Sequence, residues 1–176
     1  GEDPTSILVK MAKRLEESGA LALAMPCNTA HHYATAIKNS VSIPFLDMVS
    51  LTAEKIAEVT KNNQAVGILG SPAVRKIGLF DDALRRLSRR AVWPADTNAL
   101  LTAIKLIKRQ GFNTQSHSLL KNASLDLLKQ DAATQIIACS EFSLMTEKLS
   151  NPVVYMVDTL DILTSAIERF SRTKLA

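Results

Sequence analysis

Apolar positions along the chain alternate between two spacings. Ile7, Leu8, Met11, Ala12 and Leu15 fall at helical intervals, with Asp3 as N-cap, Pro4 at the first helical position and Gly19 as the stop. The stretch 20–25 that follows is short and apolar, as a buried strand requires. The same order returns later. Leu119, Leu120, Ala123, Leu127 and Leu128 predict a helix ending before Asp131, and 132–137 a second buried strand. Further strands are predicted over 44–48, 65–70, 90–93 and 153–157, and helices near 30–38, 50–61, 78–88, 96–110, 141–147 and 159–172. Helices alternating with short apolar strands across short connections predict an α/β fold with parallel sheets flanked by helices.

Both look-alike strands run into a cysteine. ALALAM passes through Pro26 into Cys27-Asn28-Thr29, and AATQII passes through Ala138 into Cys139-Ser140-Glu141. Asn28 or Thr29, and then Ser140, are expected to cap the helices that follow, which puts both thiols at strand ends against helix N-termini. A helix start favours an anion, here either a thiolate or a bound carboxylate. In open parallel sheets ligands bind beyond the carboxyl ends of the strands, where both cysteines are predicted to lie. If the two segments face each other, one thiol can remove a proton from one face of a carbon while the other returns one to the opposite face. The plain alternative, a small residue buried at the end of an apolar strand, does not call for the polar neighbours Asn-Thr and Ser-Glu.

Composition narrows the field. The chain has 176 residues, 47% hydrophobic and 22% charged, enough for a substantial core in one domain or two small lobes. No apolar run approaches a membrane span and no signal-peptide pattern is present, so a soluble cytoplasmic protein with reduced cysteines is expected. The net charge of +4 includes the cluster Arg85, Arg86, Arg89 and Arg90, read as a solvated face; without aromatic interleaving it does not predict a nucleic-acid partner. No phosphate-binding loop or dinucleotide glycine pattern occurs. His31 and His32 follow Cys27 without the second ligand cluster a structural zinc needs, so no metal is expected. One of this pair is expected beside the Cys27 thiol and the other exposed, and His117 at the surface.

The string MPCNTAHHYATAIKNSVSIPFLDMV, preceded by GEDPTSILVKMAKRLEESGA, closely resembles the aspartate/glutamate racemase family, as does GILGSPAVRKIGLFDDAL followed by IIACSEFSL. The resemblance covers nearly the whole chain. It implies a cofactor-independent amino-acid racemase of two pseudo-symmetric lobes, residues 1–60 with 159–176 and residues 61–158, with the site in the cleft between them and a homodimer as the assembly. It assigns acid/base roles to Cys27 and Cys139, and substrate contacts to Asn28, Thr29, Ser140 and Glu141. Ser71 falls where the family often has Thr. Lys108, or its neighbour Arg109, is placed to meet the side-chain carboxylate of aspartate or glutamate, and which amino acid is used stays open.

Departures from the family pattern are also visible. The second motif more often reads GCTE, Val74 stands where relatives carry a hydroxyl residue, and Phe80 where many carry Tyr. Relatives open with a strand and glycine-rich turn that line the cleft, and further on supply a basic residue to the substrate. This chain starts with Gly1 and a helix, which reads as a fragment; taken as the whole polypeptide, it is expected to have an incomplete site, weak or absent turnover and a lobe short of a central strand. Three other readings stand beside the racemase: a hydantoin racemase or related carbon-acid epimerase, a non-catalytic amino-acid-binding protein, and a structural domain with two buried thiols.

Overall fold

A computed structural model of the chain describes residues 3–144, 149 and 151–175. The order is α1 (Thr5–Glu17), β1 (Leu23–Ala24), a 3-10 turn (Thr29–Tyr33), α2 (Ala34–Lys38), β2 (Phe45–Leu46), α3 (Met48–Val59), β3 (Ala65–Gly70), α4 (Pro72–Ile77), α5 (Leu79–Arg86), β4 (Arg90–Val92), α6 (Thr97–Gln110), α7 (Thr114–Lys129), β5 (Thr134–Ala138), α8 (Ser140–Ser143), β6 (Tyr155–Asp158) and α9 (Thr159–Leu175). All strand pairs are parallel, in a two-stranded sheet β1-β2 and a four-stranded sheet β4-β3-β5-β6. Helices flank these sheets, as expected of an α/β chain.

The four-stranded sheet holds the main core. Every residue of β3 and β5 is buried, as the continuous apolar runs require when both faces are covered. Ala65 and Leu69 face Leu100, Ile104, Leu120 and Leu127 of α6 and α7. Val66 and Ile68 face Val49, Ala53 and Ile56 of α3 and Phe80 and Leu84 of α5. Gly67 permits the close approach of α7, since a Cβ there would lie 2.7 Å from Leu127 Cδ1.

The small sheet has a core of Ala12, Leu23 and Ile37, with Leu8 and Phe45 packed against it. Only part of the α1 stripe takes part: Ile7, Met11 and Leu15 are 60%, 54% and 52% exposed. Beyond β1, a mostly apolar groove of about 360 Å3 runs along Leu21, Leu23, Ile167 and Phe170. Helix α9 packs against β2 as well as against β5 and β6, so it touches both sheets.

Several boundaries differ from the sequence reading. Helix α1 begins one residue later than expected: Pro4 is the N-cap, while Asp3 accepts from the Thr5 N–H at 2.9 Å. The strands expected over 20–25 and 44–48 shrink to two residues each because β1 and β2 pair only with one another, and Met48 already opens α3. Helix α4 is absent from the expectation, being only six residues long and closed by Gly78 in the left-handed region at φ 75°. The helix expected over 141–147 is seen as Ser140–Ser143, and residues 145–147 lie outside the described ones.

The arginine cluster is not simply a solvated face. Arg89 donates to the carbonyls of Ala57 (2.8 Å) and Thr60 (2.6 Å), placing a cation on the C-terminal end of α3, and to Asn62 Oδ1 at 2.7 Å. Arg85 pairs with Asp82 at 2.8 Å on the surface. Among the described residues no helix is long and apolar enough to cross a membrane.

Candidate active site

Pairing of β3 with β5 runs from Val66 opposite Thr134 to Gly70 opposite Ala138. The next residues, Ser71 and Cys139, therefore leave the sheet side by side at its carboxyl edge. There they line a cavity of about 350 Å3 together with Cys27 and Asn28 from the loop after β1, Thr29 at the start of the 3-10 turn, Lys108 of α6, and Ser140 and Glu141 of α8. All eight site residues predicted from the sequence meet in this cavity, and Arg109 is not among its lining residues. Both cysteines are free. Cys27 is exposed and Cys139 half-buried, so the reading of two buried thiols does not describe Cys27.

Cys139 heads a chain of charge. Its thiol donates to Glu141 Oε2 at 2.9 Å, and Glu141 Oε1 lies 2.9 Å from Lys108 Nζ. Burial pushes the Cys139 thiol far above its ordinary value, and the hydrogen bond to Glu141 and its negative charge push it further, so Cys139 holds its proton at neutral pH. Burial would raise Glu141 too, but the Cys139 S–H and Lys108 hold its carboxyl below the ordinary value. The same carboxylate raises Lys108. Lys108 is 65% exposed, so this ion pair is screened and loosely held.

The Cys27 loop is pinned from below. His31 is buried; its Nε2 accepts from the Met48 N–H at 3.1 Å, which leaves the proton on Nδ1 to donate to the Cys27 carbonyl at 2.8 Å. His31 therefore holds the main chain of the loop rather than the thiol, the position expected for one of the histidines. Burial lowers its pKa, partly offset by the Cys27 carbonyl and Asp47 and reinforced by Lys38. Its neighbour His32 is exposed. His117 is half-buried, its ring edge-on to Phe112.

The expected caps at Asn28 and Ser140 are not made: the 3-10 turn has Asn28 and α8 has Cys139 at the N-cap, neither with a side-chain cap bond. Asn28 instead turns inward and donates from Nδ2 to Thr159 Oγ1 at 3.1 Å. Ser71 does cap, accepting from the Val74 N–H at 3.3 Å ahead of Pro72. Val74 and Phe80 are buried in the core below and offer no polar group to the cavity. Thr159 was not singled out by sequence reasoning, although an Asp-Thr pair at a strand-to-helix junction is itself a recognisable helix-start signal. Among the described residues no three His, Cys, Asp or Glu side chains converge as a metal site.

The family profile described as Asp/Glu/Hydantoin racemase matches residues 1–167. The chain belongs to this family of racemases, which are isomerases. It is 24% identical over 167 residues to the broad specificity amino-acid racemase RacX of Bacillus subtilis, covering 93% of this chain and 70% of that protein. It is 25% identical over 148 residues to the glutamate racemase of a Sulfurihydrogenibium species, covering 83% of this chain and 54% of the relative, so it spans little more than half of that protein's length. The solved Picrophilus torridus aspartate racemase superposes with a TM-score of 0.81 at 23% identity, over 96% of this chain and 70% of that one. Glutamate racemase RacE1 from Bacillus anthracis gives 0.73 at 21%, over 97% and 65%. These superpositions establish the shared α/β fold.

Two predictions follow from the electrostatics. Glu141→Gln removes the charge that helps keep Cys139 protonated, so Cys139 should alkylate faster with iodoacetamide at neutral pH while Cys27 is little changed; an unchanged Cys139 rate would contradict this. His31 is neutral in the fold, but its unfolded counterpart takes a proton below about 6.5. The unfolded state then binds more protons, so the His31 contribution to stability is intact above that pH and is lost as pH falls below it. Urea midpoints should decline from neutral to mildly acidic pH, and His31→Asn should reduce that decline; an equal decline in the variant would remove His31 as its source.

Proposed function

We propose that the chain is a cofactor-independent amino-acid racemase that uses Cys27 and Cys139 as an acid/base pair, with aspartate or glutamate as substrate. The observation that carries this reading is the meeting of the two free thiols in one cavity, one exposed and one held protonated. Cys27 as thiolate takes the α-proton, and the Cys139 S–H gives its proton to the opposite face of the same carbon. The cycle leaves Cys27 as thiol and Cys139 as thiolate, and the reverse direction uses them in those forms.

The difficult species is the carbanion, because an amino-acid α-proton is much less acidic than a thiol. Its charge spreads onto the substrate carboxylate, so donors fixed in advance around that carboxylate lower the barrier. Thr29, Ser140 and the backbone N–H groups beside the two cysteines supply them in this reading, and Asn28 receives the ammonium group. Lys108 can leave Glu141 for the side-chain carboxylate of a dicarboxylic substrate, since the lysine side of the pair is largely exposed. When it does, Glu141 keeps its charge next to Cys139, which keeps the proton on that thiol until the carbanion takes it. The reading takes residues 1–60 with 159–176 as one lobe and 61–158 as the other, closing over the substrate in a cytoplasmic homodimer.

Cys27→Ser and Cys139→Ser should each lower racemisation by about 10²–10⁴-fold, the range for a positioned acid or base. Amino-acid binding, followed by calorimetry, should persist in both. Racemisation at the unmodified rate in either variant would refute the two-thiol mechanism, and binding without any turnover in the unaltered protein would favour an amino-acid-binding protein.

A further inference from the structure

The Cys27 loop and the strand leading to Cys139 are far apart in sequence, yet one buried hydroxyl joins them. Thr159, the first residue of α9, is fully buried. Its Oγ1 lies 3.0 Å from the Ile137 carbonyl of β5 and 3.1 Å from Asn28 Nδ2. A carbonyl can only accept, so the hydroxyl proton is committed to Ile137. The Thr159 oxygen can then only accept, so Asn28 must present its NH2 group there. The amide orientation is set by this polarity, and Asn28 Oδ1 is left buried with no partner. Buried polar atoms are ordinarily satisfied, and an unpaired acceptor beside a cavity is suited to a donor that the ligand brings. Next to Thr159, Asp158 Oδ1 accepts from Ser143 Oγ of α8 at 2.8 Å and from the Leu160 N–H at 2.8 Å. The β6-α9 junction thus reaches both cysteine segments, Asn28 next to Cys27 and Ile137 and Ser143 on either side of Cys139.

We infer that Thr159 is a positioning residue: its hydroxyl holds the Cys27 loop against the strand that carries Cys139, and fixes the Asn28 amide with its oxygen free for a ligand N–H. The catalytic consequence rests on the racemase reading, whereas the spacing of the two thiols does not.

Thr159→Val keeps the side-chain shape and removes the hydroxyl, while Thr159→Ser keeps the hydroxyl. In the full chain, α-proton exchange in D2O at saturating aspartate or glutamate should fall about tenfold or more in the Val variant, the loss expected for one buried hydrogen bond, and recover in the Ser variant. A short bifunctional thiol reagent should join Cys27 to Cys139 in the unaltered protein and the Ser variant, and lose most of that yield in the Val variant. If the Val variant does not fold, Asn28→Asp, which cannot donate to Thr159, should show the same loss of cross-linking. Undiminished cross-linking in a folded Val or Asp variant overturns the inference, as does a Ser variant no better than Val. Absence of exchange in the unaltered protein, with cross-linking still dependent on Thr159, would sink the racemase reading and leave the positioning role standing.

Discussion

The register of β3 against β5 decides where chemistry can take place. Because Gly70 ends its strand opposite Ala138, Ser71 and Cys139 are delivered to the same point on the carboxyl edge, each starting a new helix. A shift of one residue would turn β5's alternating side chains to the opposite faces and unpack Ile136 and Ile137 from the cores on either side. The buried apolar pattern therefore holds the Cys139 thiol in place indirectly, through the cost of misplacing its neighbours. The second thiol has no such sheet behind it, since β1 has two residues and one partner. Its loop is held by side chains instead: His31 on the Cys27 carbonyl and Asn28 on Thr159.

This asymmetry carries into the electrostatics. Cys139 sits where burial and an adjacent carboxylate both favour the thiol, while Cys27 is open to the cavity and to solvent. Two groups of the same type thereby sit in different surroundings, one buried against a carboxylate and one exposed. Lys108 tempers the arrangement without cancelling it, because its own side chain is largely exposed and its charge is screened by solvent.

Much of this was legible in the sequence because it depends on local pattern. Continuous apolar runs marked β3 and β5, and the repeated helix-strand-cysteine order pointed to one site made from two segments. The polar residues after each cysteine do line one cavity, but their hydrogen-bond partners were not legible. Asn28 reads locally as a helix cap, and only the fold brings Thr159, 131 residues away, to claim its amide. His31 reads as a neighbour of the Cys27 thiol, and only the start of α3 at Met48 fixes its ring on the backbone instead. Short α4 escaped notice, although Ser71-Pro72 ahead of it and Gly78 behind it are start and stop signals in themselves. Pattern locates elements; long-range hydrogen bonds settle what the polar side chains do at their ends.

The central claim is that two separate thiols serve opposite faces of one carbon. It is tested most directly by the isotope content at Cα early in the reaction, when a single enantiomer of aspartate or glutamate is incubated with the protein in D2O. Two bases predict product carrying deuterium while the remaining substrate keeps its hydrogen. Equal deuterium in both enantiomers from the first turnovers would mean that a single group handles both faces, and would contradict the account.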